Sequence, residues 1–283
     1  MRVLVHVQHP EGDPARNLVI VHGLEGSSES GYARSLAQAA LEDGAVVHRF
    51  HMRSCGGTEA HSGRLLYHSG QTADLEFVLR DIRRESRAPI HLAGFSLGGN
   101  VVLKLAGELG GKAAGLIDSI CAVSTPIDLA ACARRLRARQ NRFYAARFLA
   151  RLRNRVRVKE KLSPGLFRTD LLERVQTIEE FDDTFTAPAF GFGTAARYYA
   201  SQSSNQFLDA IRVPALLIQA KDDPLVPFAI FDHPAFGSNP ALRLLAVEHG
   251  GHVGFLSRTR PRFWLDRVII DWIRQIERKP DAA

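Results

Sequence analysis

Ser96 stands in Gly94-Phe95-Ser96-Leu97-Gly98, between the apolar run Pro89-Ile-His-Leu-Ala93 and the helical run Gly99-Asn-Val-Val-Leu-Lys-Leu-Ala106. A hydroxyl becomes a useful nucleophile only when it is held exposed, beside a base and facing donors for an oxyanion. Small residues two places before and after the serine let the chain turn sharply from strand to helix and lift the hydroxyl above the sheet edge. Alone the pattern is weak, because a glycine-rich turn with a solvated serine reads the same way. Its meaning depends on an acid and a histidine that can reach it.

Both follow. The apolar segment Ala215–Gln219 runs into Ala220-Lys-Asp222-Asp223-Pro-Leu-Val-Pro227, and the segment Ala241–Val247 runs into Glu248-His249-Gly-Gly-His252-Val-Gly-Phe255. Each candidate lies just past the carboxyl end of an expected strand, the rim where α/β sheets carry chemistry, and the order is serine, acid, histidine. Asp223 opens an Asp-x-x-Val-Pro turn and is preferred as the acid over Asp222, which reads as a turn cap or a solvated side chain. His252 follows two glycines that let its loop fold back, and is preferred as the base over His249, read as a packed or hydrogen-bonded structural residue. The other nine histidines read as surface or structural. Backbone amides should supply the oxyanion donors: Leu97 N–H at the helix start, and Leu24 N–H in the turn His22-Gly23-Leu24-Glu25-Gly26 after an early strand.

These residues need a sheet to hold them. Apolar runs at Arg2–Val7, Leu18–His22, Val46–Phe50, Ile90–Ala93 and Leu116–Val123 alternate with helical stretches at about Tyr32–Glu42, Thr72–Glu85 and Gly99–Glu108. Near-continuous apolar strands separated by amphipathic helices predict a mostly parallel, doubly wound α/β sheet. The alternation stops after Val123, resumes at Ala215, and ends in a helical Phe263–Ile276. The stretch at about 125–210 is expected to be a helical cap inserted over the carboxyl ends of the strands, within a single domain spanning 1–283.

Composition bounds the function classes. The 283 residues are 45% hydrophobic and 24% charged, as in an ordinary soluble globule. No apolar run approaches the roughly 20 residues that span a bilayer. Cys55, Cys121 and Cys132 form no CxxC pair, which suits a reducing compartment. The start Met1-Arg-Val-Leu-Val-His-Val7 lacks the form of a signal peptide, so a cytoplasmic location is expected. The net charge of +7 is local in origin: residues 134–168 hold 13 Arg or Lys against the single acid Glu160. That basic stretch reads as a solvated helix face, or as a surface for anionic lipid or anionic substrates. It lacks any nucleic-acid motif, so no nucleic-acid partner is expected. No Cys/His cluster calls for a metal, and no cofactor is expected.

The chain resembles α/β-hydrolases of the YheT-like subgroup, related to abhydrolase-domain lipases and medium-chain ethyl-ester synthases. The resemblance rests on His22-Gly-Leu-Glu-Gly-Ser-Ser28, Arg53-Ser-Cys-Gly-Gly-Thr58, Tyr67-His-Ser-Gly70, Gly94-Phe-Ser-Leu-Gly-Gly-Asn100, Phe181-Asp-Asp183, Tyr198-Tyr199, Asp222-Asp-Pro224 and His249-Gly-Gly-His-Val-Gly-Phe255. It implies the α/β-hydrolase fold and esterase or lipase activity on acyl esters, with Ser96 as nucleophile, Asp223 as acid and His252 as base. Two departures stand out. Ser54 occupies a position where the family usually has glycine, and relatives carry an N-terminal extension with an extra strand pair, which leaves the number of strands open.

The expected function is therefore hydrolysis of carboxylic esters through a Ser-His-Asp triad and an acyl-enzyme. An acyltransferase that delivers the acyl group to an alcohol, and a basic peripheral membrane protein with a vestigial site, are the alternatives.

Overall fold

The computed structural model describes residues 2–62, 66–260 and 262–278; Met1 and residues 63–65, 261 and 279–283 lie outside it. Seven strands form one sheet: β1 (Val5–Gln8), β2 (Arg16–Val21), β3 (Ala45–Phe50), β4 (Ile90–Phe95), β5 (Ser119–Val123), β6 (Ala215–Ala220) and β7 (Leu242–Val247). Their order is β1-β3-β2-β4-β5-β6-β7, parallel except where β1 pairs antiparallel with β3. The order reverses at β2, so the crevice between the carboxyl ends of β2 and β4 is the place where such sheets take ligands.

The pleat sorts the core into two layers. Leu18 and Ile20 of β2 face one side with Ala93 and Phe95 of β4. Helices α1 (Gly31–Glu42) and α7 (Trp264–Glu277) cover that side, inserting Leu36, Ala40, Ile269 and Ile273. Val19 and Val21 face the other side with Leu92, against α2 (Ala73–Glu85) and α3 (Leu97–Leu109). Strands buried on both faces read as continuous apolar runs, which is why the sequence showed no alternation there.

Element ends differ from the expected ones. The run Leu116–Val123 contributes a strand only from Ser119, because Leu116 and Ile117 bond back to Ala113 O as a turn. The first strand runs Val5–Gln8 rather than Arg2–Val7, set by its register Val5↔Phe50 to Gln8↔Val47. Helix α3 starts at Leu97, two residues early, with Ser96 itself at its N-cap.

Between β5 and β6 lie α4 (Leu129–Leu136), α5 (Arg142–Leu162), a helical run from Ile178 to Ala189, and α6 (Ala195–Gln202). Leu149, Leu152 and Val156 of α5 pack on Leu172, Ile178, Phe181 and Phe185. Leu129 and Ala133 of α4 pack on Tyr198 and Tyr199 of α6. Among the described residues no helix is long and apolar enough to cross a membrane.

The junction of β4 and α3 has no spare volume. A Cβ at Gly94 would stand 2.5 Å from Gly98 O, and one at Gly98 would lie 2.6 Å from His22 O and closer still to Val21 O. These are backbone atoms of α3 and of the end of β2, which a side chain cannot displace without shifting the helix or the strand. Gly98→Ala is therefore expected to destabilise the protein by at least about 2 kcal/mol, read as a lowered urea midpoint.

Burial also keeps histidines neutral. His22 and His48 are each pushed down to about 4 from 6.5, chiefly by desolvation. Below pH 6.5 the unfolded chain takes up protons that the folded chain refuses, so the stability these groups contribute is full above 6.5 and lost as pH falls towards about 4. The urea midpoint should drop through this window, and His48→Gln should make the drop shallower.

Candidate active site

The turn at Ser96 is left-handed for a non-glycine residue, with φ 52° and ψ −120°. Such a conformation costs on the order of 1–3 kcal/mol and persists only where neighbours impose it. Here Ser96 N–H donates to Val123 O at 2.7 Å, while Ser96 O accepts from Gly99 N–H at 2.9 Å. The hydroxyl is left outside the helix, at the rim of the sheet.

Asp223 and His252 come to it from the ends of β6 and β7. His252 Nε2 lies 2.9 Å from Ser96 Oγ, and His252 Nδ1 lies 2.9 Å from Asp223 Oδ2 and 3.1 Å from Oδ1. Asp223 is buried and serves as the acceptor for its surroundings: Oδ1 takes the amides of Leu225 at 2.8 Å and Val226 at 3.1 Å, and Oδ2 takes Gln219 Nε2 at 3.2 Å. A carboxylate so placed makes Nδ1–H the donor and leaves the Nε2 lone pair facing the serine hydroxyl.

The neighbouring Asp222–His249 pair has another position. Asp222 Oδ1 accepts from the amides of Gly250 at 2.9 Å and Gly251 at 2.8 Å, tying down the turn that carries His252. These amides, Gly251 first, hold its carboxyl below the ordinary range. His249 bonds Asp222 Oδ2 at 3.2 Å, but its side chain is 89% exposed, so it is hydrogen-bonded and not packed.

Leu24 and Leu97 both line the cavity in front of Ser96. As the first residue of α3, Leu97 has an amide without an intrahelical acceptor. Among the described residues, Leu24 N–H likewise meets no protein acceptor. The Leu24 turn is heavily braced. His22 Nδ1 donates to Gly23 O at 2.8 Å while its Nε2 accepts from Met52 N–H at 3.2 Å, and Gly23 N–H donates to Tyr32 Oη at 2.9 Å.

Glu25, the next residue, has φ 56° and receives a clamp from the cap. Arg155 of α5 donates to its carboxylate through Nε and Nη2, both at 2.8 Å. Tyr67 Oη donates to Glu25 Oε1 and accepts from Glu25 N–H, both at 2.8 Å, with the Arg155 guanidinium 5.5 Å from the Tyr67 ring centre. Burial works to lower the Arg155 pKa, yet the Glu25 hydrogen bonds together with the charge interactions of Cys55, Tyr67 and Glu25 outweigh it and hold the group above its ordinary value.

The cavity wall is apolar, with Leu129, Leu136, Phe148, Leu152 and Ile178 supplied by the cap. Its polar members include Ser69, Asp182, Tyr198 and Tyr199, from short motifs far apart in sequence, and Asn100, outside the lining, ties the surrounding segments together. Asn100 Nδ2 donates to Ser69 O at 2.8 Å and Gln202 O at 2.9 Å, and its Oδ1 accepts from Ser204 N–H at 2.8 Å. Tyr198 Oη donates to Ser69 Oγ at 2.6 Å, and Tyr199 Oη donates to Asp182 Oδ2 at 2.7 Å. Burial raises Asp182 to about 6 and depresses His68 to about 3. Ser54, where the family resemblance implies a glycine, sits at φ 59°, a conformation glycine adopts without strain, and its Oγ lies 2.6 Å from Ser62 Oγ.

Gln219, Glu25, Arg155 and Asp182 also belong to this site, and none of them was assigned a role in the sequence. Glu25 and Asp182 stand in the motifs that carry the family resemblance, Gln219 is the one polar residue in an otherwise apolar strand, and Arg155 is one arginine in a basic run.

The α/β-hydrolase fold family matches residues 16–259 of the chain. The chain is 37% identical over 261 residues to YheT of Escherichia coli (strain K12), covering 90% of this chain and 76% of that protein. It is 31% identical over 263 residues to a monoacylglycerol lipase of Saccharomyces cerevisiae, covering 87% of this chain but only 56% of the lipase. Among solved structures it is similar to Est1E from Butyrivibrio proteoclasticus with ferulic acid bound, at a TM-score of 0.63 and 14% identity, covering 98% of this chain and 96% of that one. Fold, motif order and these similarities agree: the chain belongs to the α/β-hydrolase fold family, in its YheT-like group of esterase- and lipase-like proteins.

Proposed function

We propose that this protein hydrolyses carboxylic esters with an apolar acyl chain through a covalent acyl-enzyme. The observation that carries the reading is the row Ser96 Oγ, His252 Nε2, His252 Nδ1, Asp223 Oδ2, with both gaps at 2.9 Å. His252 Nε2 takes the Ser96 proton as Oγ bonds the ester carbonyl carbon. Asp223 holds the imidazole in the Nδ1–H tautomer and stabilises the imidazolium that forms. The Leu24 and Leu97 amides receive the negative charge on the former carbonyl oxygen, each contributing about 3 kcal/mol. His252 then returns the proton to the departing alcohol. Water, deprotonated by His252, attacks the acyl carbon, and Ser96 leaves with the proton restored, releasing the acid.

The cap enters this scheme through Arg155. By fixing Glu25 it holds the peptide next to Leu24 in place, so the oxyanion donor depends on α5 being docked. An alcohol that entered the apolar cavity in place of water would take the acyl group instead, a transferase outcome that ethyl-ester formation in added ethanol would reveal.

Ser96→Ala should reduce p-nitrophenyl ester hydrolysis to background and abolish labelling by a fluorophosphonate, with an unchanged thermal melt; retained turnover overturns the proposal. Asp223→Asn should lower kcat about 10⁴-fold, because an amide in the acid's place inverts the imidazole tautomer. Asp222→Asn keeps an acceptor for the Gly250 and Gly251 amides and should cost less than about tenfold. Arg155→Ala should lower kcat by about 10²-fold with KM little changed, and Arg155→Lys should recover part of it. Equal losses in kcat and stability for both Arg155 variants would reduce that residue to a structural role.

A further inference from the structure

Most basic residues of 134–168 are bound into the fold, among them Arg155 to Glu25, Arg137 to Glu179, Arg157 to Glu173, Arg168 to Asp170, Arg151 to Glu25 O and Lys159 to Glu59 O. Three at the start of α5 have no such use. Arg139, Arg142 and Arg147 are exposed and, among the described residues, form no ion pair. They lie on the turn before α5 and on its first two turns, and no acid occurs from 129 to 159. Phe143 lies among them at 74% exposure, the highest of any large hydrophobic residue described, with Tyr144 beside it at 46%. The Arg142 guanidinium lies 4.8 Å from the Phe143 ring centre.

The exposed Phe143 ring presents apolar surface to water, and the three guanidinium groups around it, with no acid nearby, set up a positive local field. A surface that offers both hydrocarbon and negative charge satisfies the whole patch at once. We infer that the start of α5 docks on an anionic lipid surface, with Phe143 and Tyr144 entering the interface and Arg139, Arg142 and Arg147 contacting phosphate headgroups. The position gives the contact a use. Leu152, half a turn around the same helix from Phe143, and Phe148 form part of the cavity wall in front of Ser96. A docked α5 thus separates the lipid from the cavity by one helix diameter, roughly 10 Å. The aromatic side chains favour lipid over nucleic acid, since Phe143 protrudes as a single wedge from a convex helix and offers no groove that would follow a phosphate backbone.

The test is co-sedimentation of the Ser96→Ala protein with phosphatidylcholine vesicles and with phosphatidylcholine–phosphatidylglycerol vesicles, at low and high salt. This reads binding alone, so it stands whether or not Ser96 turns over an ester. The protein should partition to the anionic vesicles and be released by salt. Arg139→Gln/Arg142→Gln/Arg147→Gln should weaken partitioning by on the order of a hundredfold, and Phe143→Ala should weaken it at both salt concentrations. In the Ser96 background, both variants should keep the wild-type melt and wild-type hydrolysis of a soluble short-chain ester. Equal partitioning to neutral and anionic vesicles, an unaffected triple variant, or binding to an RNA oligonucleotide without vesicle binding would each overturn the inference.

Discussion

The backbone of α3 passes against the carbonyl oxygens at the end of β2 at a distance only glycine allows, and the rest of the site follows from that contact. Gly98 lies against Val21 O and His22 O, and Gly94 lies against Gly98 O. A helix brought so close to the sheet must start abruptly, and the residue at its start is forced to positive φ. That residue is Ser96. The same contact brings the first amide of α3 beside the His22-Gly23 turn, so the candidate nucleophile and both candidate oxyanion donors share one origin. The strain is local and small beside the packing that imposes it, since β2 and β4 are buried on both faces.

Around this fixed point the other groups are held by polar contacts that leave little freedom. Asp223 is fixed by two amides and Gln219, and it in turn fixes the tautomer of His252. Asp222 and its bonds to Gly250 and Gly251 hold the loop that brings His252 back over the sheet. The two adjacent acids thus divide the work between orienting the imidazole ring and orienting its backbone. Buried neutral histidines contribute in the same manner: His22 donates to one peptide and accepts from another, which a charged imidazole could not do.

The cap is joined to the sheet by buried charge and by amide bonds at specific points. Arg155, Glu25 and Tyr67 link α5 to the turn after β2, and Asn100 links α3 to the chain at Ser69 and to the end of α6. Removing one partner of a buried ion pair leaves the other uncompensated, so each such link depends on both of its members being present. The cavity is therefore shaped by elements from both halves of the chain. Its apolar wall comes from α4 and α5, and its polar end from residues near 68, 182 and 198.

The α/β class, the strand order in sequence, Ser96, and the preference for Asp223 and His252 were legible in the sequence. They rest on local signals: apolar runs, glycines that permit a tight turn, and turn residues placed at strand ends. Strand limits shifted by two or three residues because pairing partners, not apolar character, decide where a ladder stops, as at Ser119. What only the tertiary structure decided was the use of charge. In sequence, the 13 basic residues of 134–168 are one undifferentiated run. In three dimensions Arg155 is committed to a buried carboxylate 130 positions away, while Arg139, Arg142 and Arg147 are left to solvent. Glu25, Asn100 and Asp182 follow the same rule. An ion pair or a buried amide depends on a partner brought near by the fold, and no spacing along the chain encodes which partner that is.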